Sequence, residues 1–251
     1  MGDWFMQADH GVRFDWGPAG AAALAKDAAC LVVVDVLSFT TSVTVAVESG
    51  TRVFPYRWRD ETAAVFADEL GAGLAVGRSK ATETSPWSLS PAALRRAPFT
   101  PRLVLPSPNG STIAAAAGES MVVAGSLRNS TAVGRWLADR GYGTAERPVA
   151  VIASGERWPD GSLRPALEDL LGAGAVIAAL RRCGRDQLSP EAAMAAAAFD
   201  GVPNAGVAVA DCSSGRELIE WGYADDVAIA TELDACAVVP VLTGGAFTAA
   251  E

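Results

Sequence analysis

The chain has 251 residues, half of them apolar, and a formal net charge of −9, so it is long enough to bury a core without disulfides or a structural metal and as a whole repels polyanions. Nucleic acid is disfavoured as a partner, because no basic cluster at either end offsets that charge. A small phosphorylated or sulfonated acid is not disfavoured, since local amides, arginines and a divalent cation reverse the field inside a single cleft.

Cys30, Cys183, Cys212 and Cys236 form no CxxC or CxxxC pair and read as buried thiols. The single histidine, His10, removes His-rich zinc sites, and a Ser-His-Asp triad as well unless that residue folds into the active site. The first residues, MGDWFMQADHG, lack a secretory pattern, Met6 breaks the myristoylation pattern, and no apolar run reaches the length of a membrane span. A cytoplasmic location is expected.

In chain order, residues 30–36 are short, apolar and β-branched, which predicts a buried strand with Asp35 at its carboxyl end. A helix over 39–48, stopped by Gly50, follows, then a strand over 52–56 and a helix over 60–70 capped by Asp60 and ended by Gly71. Residues 74–76 read as a strand. Past a polar loop through Trp87, Ser90 and Pro91 open a helix over 92–96, ahead of a strand over 102–105. Alternation continues with a helix at 111–117, a strand at 121–124, a helix at 130–140 and a strand at 148–153. The longest helix spans 165–182 and stops at Gly184; its alanine and glycine content over 172–180 suits packing against a neighbouring helix or against a twin subunit in a homodimer. Helices at 190–199, 215–221 and 225–232 and a last strand at 237–242 complete the reading, with 202–210 ambiguous. The pattern predicts an α/β fold, a mainly parallel or mixed sheet flanked by helices. It forms one unit, or two closely packed lobes of about 1–125 and 126–251. Trp58, Trp136 and Trp221 read as packing residues, and Trp87 as a side chain that flanks a ligand or packs on its own domain.

Ligands of such sheets collect outside the carboxyl ends of strands. Asp35 stands at one such end, with Ser38, Thr40 and Thr41 at the start of the next helix. That place suits a metal-bound carboxylate or an aspartyl nucleophile, or a carboxylate that merely caps the helix. Asn109 and Gly110 make a turn directly after a strand, and Ser111 opens a helix whose amides can hold phosphate oxygens; an ordinary turn is the plain alternative. Gly125, Ser126, Arg128 and Asn129 repeat the design, with Arg128 a fixed positive charge or a surface arginine. Ser154 and Gly155 follow a further strand. Glu168 and Asp169 lie in the first turn of the longest helix, where its dipole favours acids in any case. One of them can join Asp35 around Mg²⁺, which needs only one or two carboxylates plus water and substrate oxygens. No GxxxxGK[ST] or GxGxxG follows a strand, which argues against nucleotide-triphosphate and dinucleotide enzymes.

The segments VVVDVLSFTTSVTVA, SPNGST, VVAGSLRNSTAV, ASGERWPDGSLRPALEDLLGAGAVI and SSGRELIEWGYADDVAIATELDACAVVPVL, in this order, resemble the 2-phosphosulfolactate phosphatase family over nearly the whole chain. The resemblance implies a family-specific α/β fold, Mg²⁺ dependence, and hydrolysis of 2-phospho-3-sulfolactate to sulfolactate and phosphate; in family members that product feeds coenzyme M biosynthesis. By position it implies a site of Asp35, Asn109, Gly110, Gly125, Ser126, Asn129, Glu168 and Asp169. Two departures stand out. Ser38 takes the place of an arginine in the family's Asp-Val-Leu-Arg, and Gly77-Arg78-Ser79 replaces its Gly-Glu-Arg, so Arg78 compensates for Ser38 only if the two positions converge. The expected mechanism has Mg²⁺ on Asp35 and on Glu168 or Asp169, with amides near Asn109 and Ser126 neutralising charge. Rival readings are a metal-dependent hydrolase or lyase for another small acidic substrate, and a non-catalytic anion-binding protein.

Overall fold

Runs of valine, leucine and isoleucine without polar breaks are stable as strands only where both faces are covered, and three of them supply the centre of this structure. A computed structural model describes residues 4–58, 60–116 and 120–251. Its elements are β1 (Val12–Trp16), α1 (Gly17–Leu24), β2 (Cys30–Val34), α2 (Phe39–Glu48), β3 (Arg52–Tyr56), α3 (Glu61–Leu70), β4 (Gly73–Leu74), α4 (Pro91–Arg96), β5 (Arg102–Pro106) and α5 (Gly110–Ala116). There follow β6 (Met121–Gly125), α6 (Ser130–Asp139), β7 (Val149–Ala153), β8 (Glu156–Arg157), β9 (Leu163–Arg164), α7 (Leu167–Arg182), α8 (Pro190–Gly201), α9 (Ala205–Asp211), α10 (Ser213–Glu220), α11 (Ala224–Ala230), β10 (Pro240–Thr243) and β11 (Ala246–Ala249).

Nine strands form one mixed sheet in the order β1-β7-β2-β6-β10-β11-β3-β5-β4. The first four are parallel, and so are β3, β5 and β4. Between these blocks lies the hairpin β10–β11, antiparallel to both neighbours through the single pairs Val241↔Val123 and Phe247↔Val53. Its two-residue turn, Gly244-Gly245, has φ of 57° and 80°, a conformation that glycine adopts without steric cost.

Strand alternation sorts the core. Val32 and Val34 of β2 face Leu171, Ala175 and Val176 of α7, while Leu31 and Val33 share a second cluster with Phe39, Val43, Leu103, Leu105, Ile113 and Phe247. Side chains from both parallel blocks thus bury against α2 and α5, and Phe39 meets Phe247 edge to face with ring centres 6.2 Å apart. This shared core brings the loop after β5 to the loop after β2.

The expected class is what the structure has, with local corrections. The strand expected over 30–36 stops at Val34 and leaves Asp35 in the following turn. The last strand expected over 237–242 is β10, at Pro240–Thr243; β1, α1 and β11, which closes a hairpin with β10, were not anticipated, and the ambiguous 202–210 contains α9. Asp60 caps α3 by accepting from the Thr62 amide, and Ser90 caps α4 by accepting from the Ala93 amide. Ala117, expected to close a helix, lies outside the described residues. Cys183 is exposed rather than buried, and Trp58 and Trp221 are exposed, so neither is a packing residue. Trp87 packs against the core, with its indole N–H donating to the Pro98 carbonyl. The alanine- and glycine-rich stretch of α7 is buried inside the chain: a Cβ on Gly174 would lie 2.1 Å from the Ala195 carbonyl oxygen of α8. Among the described residues no single helix is long and apolar enough to cross a membrane.

Candidate active site

Asp35 leaves β2 into a turn, with a cis peptide between Leu37 and Ser38. Both of its oxygens accept main-chain amides, Oδ1 from Phe39 at 3.0 Å and Oδ2 from Gly110 at 3.1 Å. The first bond satisfies a free amide at the head of α2, as a capping acid does. The second comes from the head of α5, so the carboxylate also joins two segments. A Cβ on Gly110 would fall 2.2 Å from Phe39 Cδ1; only glycine lets α5 come this close. Thr40 and Thr41 brace the turn, their hydroxyls donating to the carbonyls of Asp35 and Val36 at 2.9 and 2.8 Å.

Asp169 is a second strut. Its Oδ1 accepts from the Val36 amide at 2.7 Å and its Oδ2 from the Gly155 amide at 2.8 Å, tying the turn after β2 to the one after β7. Gly155 has φ 67°, the left-handed region that favours glycine. Beside it, Glu168 Oε2 accepts the Cys212 thiol at 3.2 Å. Glu156 opens β8, and its Oε2 accepts from Asn109 Nδ2 at 3.4 Å.

Crowding of acids in a poorly hydrated place raises their proton affinity. Burial is the largest cause for each. Asp35 is raised by burial and by Glu168, against the two amides and Arg78. Asp169 is held well above the usual carboxylate range by burial, then by Glu168 and Asp35. Glu156 is pushed up to about 7 by burial, then by Asp35 and Glu168, with Arg164 opposing. Cys212 is raised to about 11, by burial and by Glu168.

Arg78, in a short 3-10 turn at Arg78–Lys80, reaches the same place. Its Nη2 donates to Ser38 Oγ at 2.6 Å and its Nε to Asp226 Oδ2 at 2.9 Å. The two positions where the chain departs from the family pattern therefore touch. Ser111 and Ser154, each next to a glycine whose amide binds one of the acids, have buried hydroxyls without a partner among the described residues.

The segment after β6 is placed differently from the rest. Ser126 and Asn129 form a closed capping box, Asn129 Oδ1 accepting from the Ser126 amide at 2.8 Å and Nδ2 donating to the carbonyls of Ala124 and Val238. Gly125 sits against Val32, where a Cβ would fall 2.8 Å from Cγ1. Arg128 turns to Glu48, at the far end of α2 from Asp35, and to Glu232, both at 3.2 Å. It is buried but does not join the acids. Glu156, Cys212 and Asp226 were not among the expected site residues. Glu156 had a signal, an acid three residues beyond a buried strand; Asp226 had none.

A magnesium ion, implied by the family resemblance, needs hard oxygen donors and only one or two carboxylates. Among the described residues no three His, Cys, Asp or Glu side chains converge into a closed metal group. Asp35 and Glu168 retain free lone pairs, and two orphaned hydroxyls stand near, so the donor set fits such a cation.

Comparison with known proteins gives a consistent result. The family model described as 2-phosphosulpholactate phosphatase matches residues 20–245. The chain is also similar to a protein of Thermotoga maritima (strain ATCC 43589 / DSM 3109 / JCM 10099 / NBRC 100826 / MSB8) named "Probable 2-phosphosulfolactate phosphatase", 27% identical over 221 residues that cover 86% of this chain and 90% of that protein.

Proposed function

Because this chain belongs to the 2-phosphosulpholactate phosphatase family, we propose that it hydrolyses a small phosphate monoester, 2-phospho-3-sulfolactate, to sulfolactate and phosphate with the help of Mg²⁺. The observation that carries the reading is the meeting of Asp35, Glu156, Glu168 and Asp169 with the Asn109-Gly110 turn, from segments far apart in sequence.

Asp35 and Glu168 would hold the cation, which polarises the phosphoryl oxygens when bound. Asp169 keeps the two strand-end turns in register, as its bonds to Val36 and Gly155 indicate. Asn109 and the unpartnered hydroxyls of Ser111 and Ser154 are neutral donors for the phosphoryl oxygens. Glu156, poised at about 7, exchanges protons at neutral pH, where a group with that affinity serves best as acid and base. It accepts the proton of the attacking water and returns it to the departing alkoxide, so that ester and water give alcohol and phosphate. A cytoplasmic site of action and a role in coenzyme M biosynthesis belong to the same reading.

Phosphate release from 2-phospho-3-sulfolactate by the purified chain, with Mg²⁺ and with chelator, tests it. Release that depends on the cation is expected; none above a heat-killed control rules the reading out.

A further inference from the structure

Asp226 is 1% exposed, lies in the first turn of α11, and has Arg78 as its charged partner. Its other oxygen accepts the Ser90 hydroxyl at 2.5 Å and the Ala92 amide at 3.0 Å. A carboxylate so far from water carries a desolvation cost that one ion pair seldom recovers, which points to a role other than stability. What it fixes is the guanidinium. Arg78 Cζ lies 5.4 Å from the centre of the Tyr223 ring, so the segment that opens α11 holds both Nε and one face of the group, while Ser38 holds Nη2.

Nη1 has no acceptor among the described residues, and the side chain keeps 19% exposure. Ser38 adjoins Phe39, whose amide binds Asp35. The free edge of a clamped guanidinium therefore borders the acid site.

We infer that Arg78 is the specificity residue that receives the substrate's second acid group, a carboxylate or sulfonate on the carbon chain, and that Asp226 is the positioning residue that fixes the guanidinium for it. A planar fork binds paired oxygens of either group, and a fork held on three sides keeps little freedom to follow another shape. Lysine cannot reproduce this, because its charge is a point on a flexible stem. The inference rests on the phosphatase reading of the same site.

The test uses the full chain with Mg²⁺ and three esters: ethyl phosphate with no second acid, 2-phospholactate with a carboxylate, and O-phosphoisethionate with a sulfonate. The wild type prefers an acid-bearing ester to ethyl phosphate, and in Arg78→Met that preference, as a ratio of kcat/KM values, falls by about 10- to 100-fold, mainly through KM. Arg78→Lys and Asp226→Asn lower the same ratio by a smaller factor. Whichever acid-bearing ester loses its advantage identifies the group received. A parallel fall on all three esters, as a purely structural pair or a phosphoryl ligand would give, overturns the inference; so does a ratio unchanged in Arg78→Met, whose folding is checked by thermal melting.

Calorimetry with lactate and isethionate separates the two readings. A wild-type chain that releases no phosphate, yet binds either anion about tenfold more tightly than Arg78→Met does, ends the phosphatase reading and upholds Arg78. Equal binding by the two proteins ends the assignment of Arg78.

Discussion

At the level of single residues, the site is defined by acids whose oxygens are already directed. Asp35 has one amide on each oxygen, so replacement by asparagine retains the volume but turns an N–H₂ group toward an N–H donor and removes the charge. Asp35→Asn is expected to lower kcat by about 10²–10⁴-fold, a range typical for groups acting at the reacting centre, and steady-state phosphate release measures it. Glu156 has a different signature, since its proton affinity places it between its two forms near neutrality. Glu156→Gln should flatten the limb of the kcat–pH profile that the wild type shows near pH 7, along with a loss of about 10²-fold. A variant profile that keeps this limb would assign the proton work to another group.

At the level of elements, the site depends on close approach. α7 carries Glu168 and Asp169 at its head and is seated by glycines: Gly172 faces Val34 and Val36, and Gly174 faces the backbone of α8. Because the nearest atom to Gly174 is a carbonyl oxygen of Ala195 and not a side-chain end, no rotamer change relieves the contact. Gly174→Ala is expected to destabilise the fold by about 1–3 kcal/mol, the usual range for overpacking, read as a lower urea midpoint. The same shift of α7 should weaken turnover, since it carries Asp169 away from Val36 and Gly155. The capping box of Ser126 and Asn129 serves an element in the same way. It closes the turn after β6 with bonds that engage the Ser126 hydroxyl and both ends of the Asn129 amide.

For the whole molecule, the buried acids link stability to pH. Between the ordinary glutamate value of 4.5 and about 7, the folded chain binds a proton on Glu156 that the unfolded chain has released, so stability falls as pH rises through that window. Burial moves Asp35 and Asp169 the same way. In chelator, the melting temperature should therefore drop from pH 5 to pH 7.5. Added Mg²⁺ should raise it more at pH 7.5 than at pH 5, because a cation binds the deprotonated carboxylates and competes with protons for them. An equal Mg²⁺ effect at both pH values would place the ion outside this acid cluster.

The sequence by itself determined which segments become the central strands and where several helices begin, as far as neighbours along the chain decide it. The unbroken valines of β2, the cap at Asp60 and the cap at Ser90 are local matters, and so is the place of Asp35 near the carboxyl end of that valine run. The Gly244-Gly245 hairpin is legible too, as a glycine pair between two short apolar runs. Tertiary structure alone decided which ends meet. Gly110 reaches Asp35 across 75 positions, Val36 reaches Asp169 across 133, and Arg78 reaches Asp226 across 148. It also sent Arg128 to Glu48 and Glu232 and brought Arg78 to Ser38. Periodicity records what each segment buries, whereas partners so distant in sequence are selected by how the two parallel blocks close over one shared core.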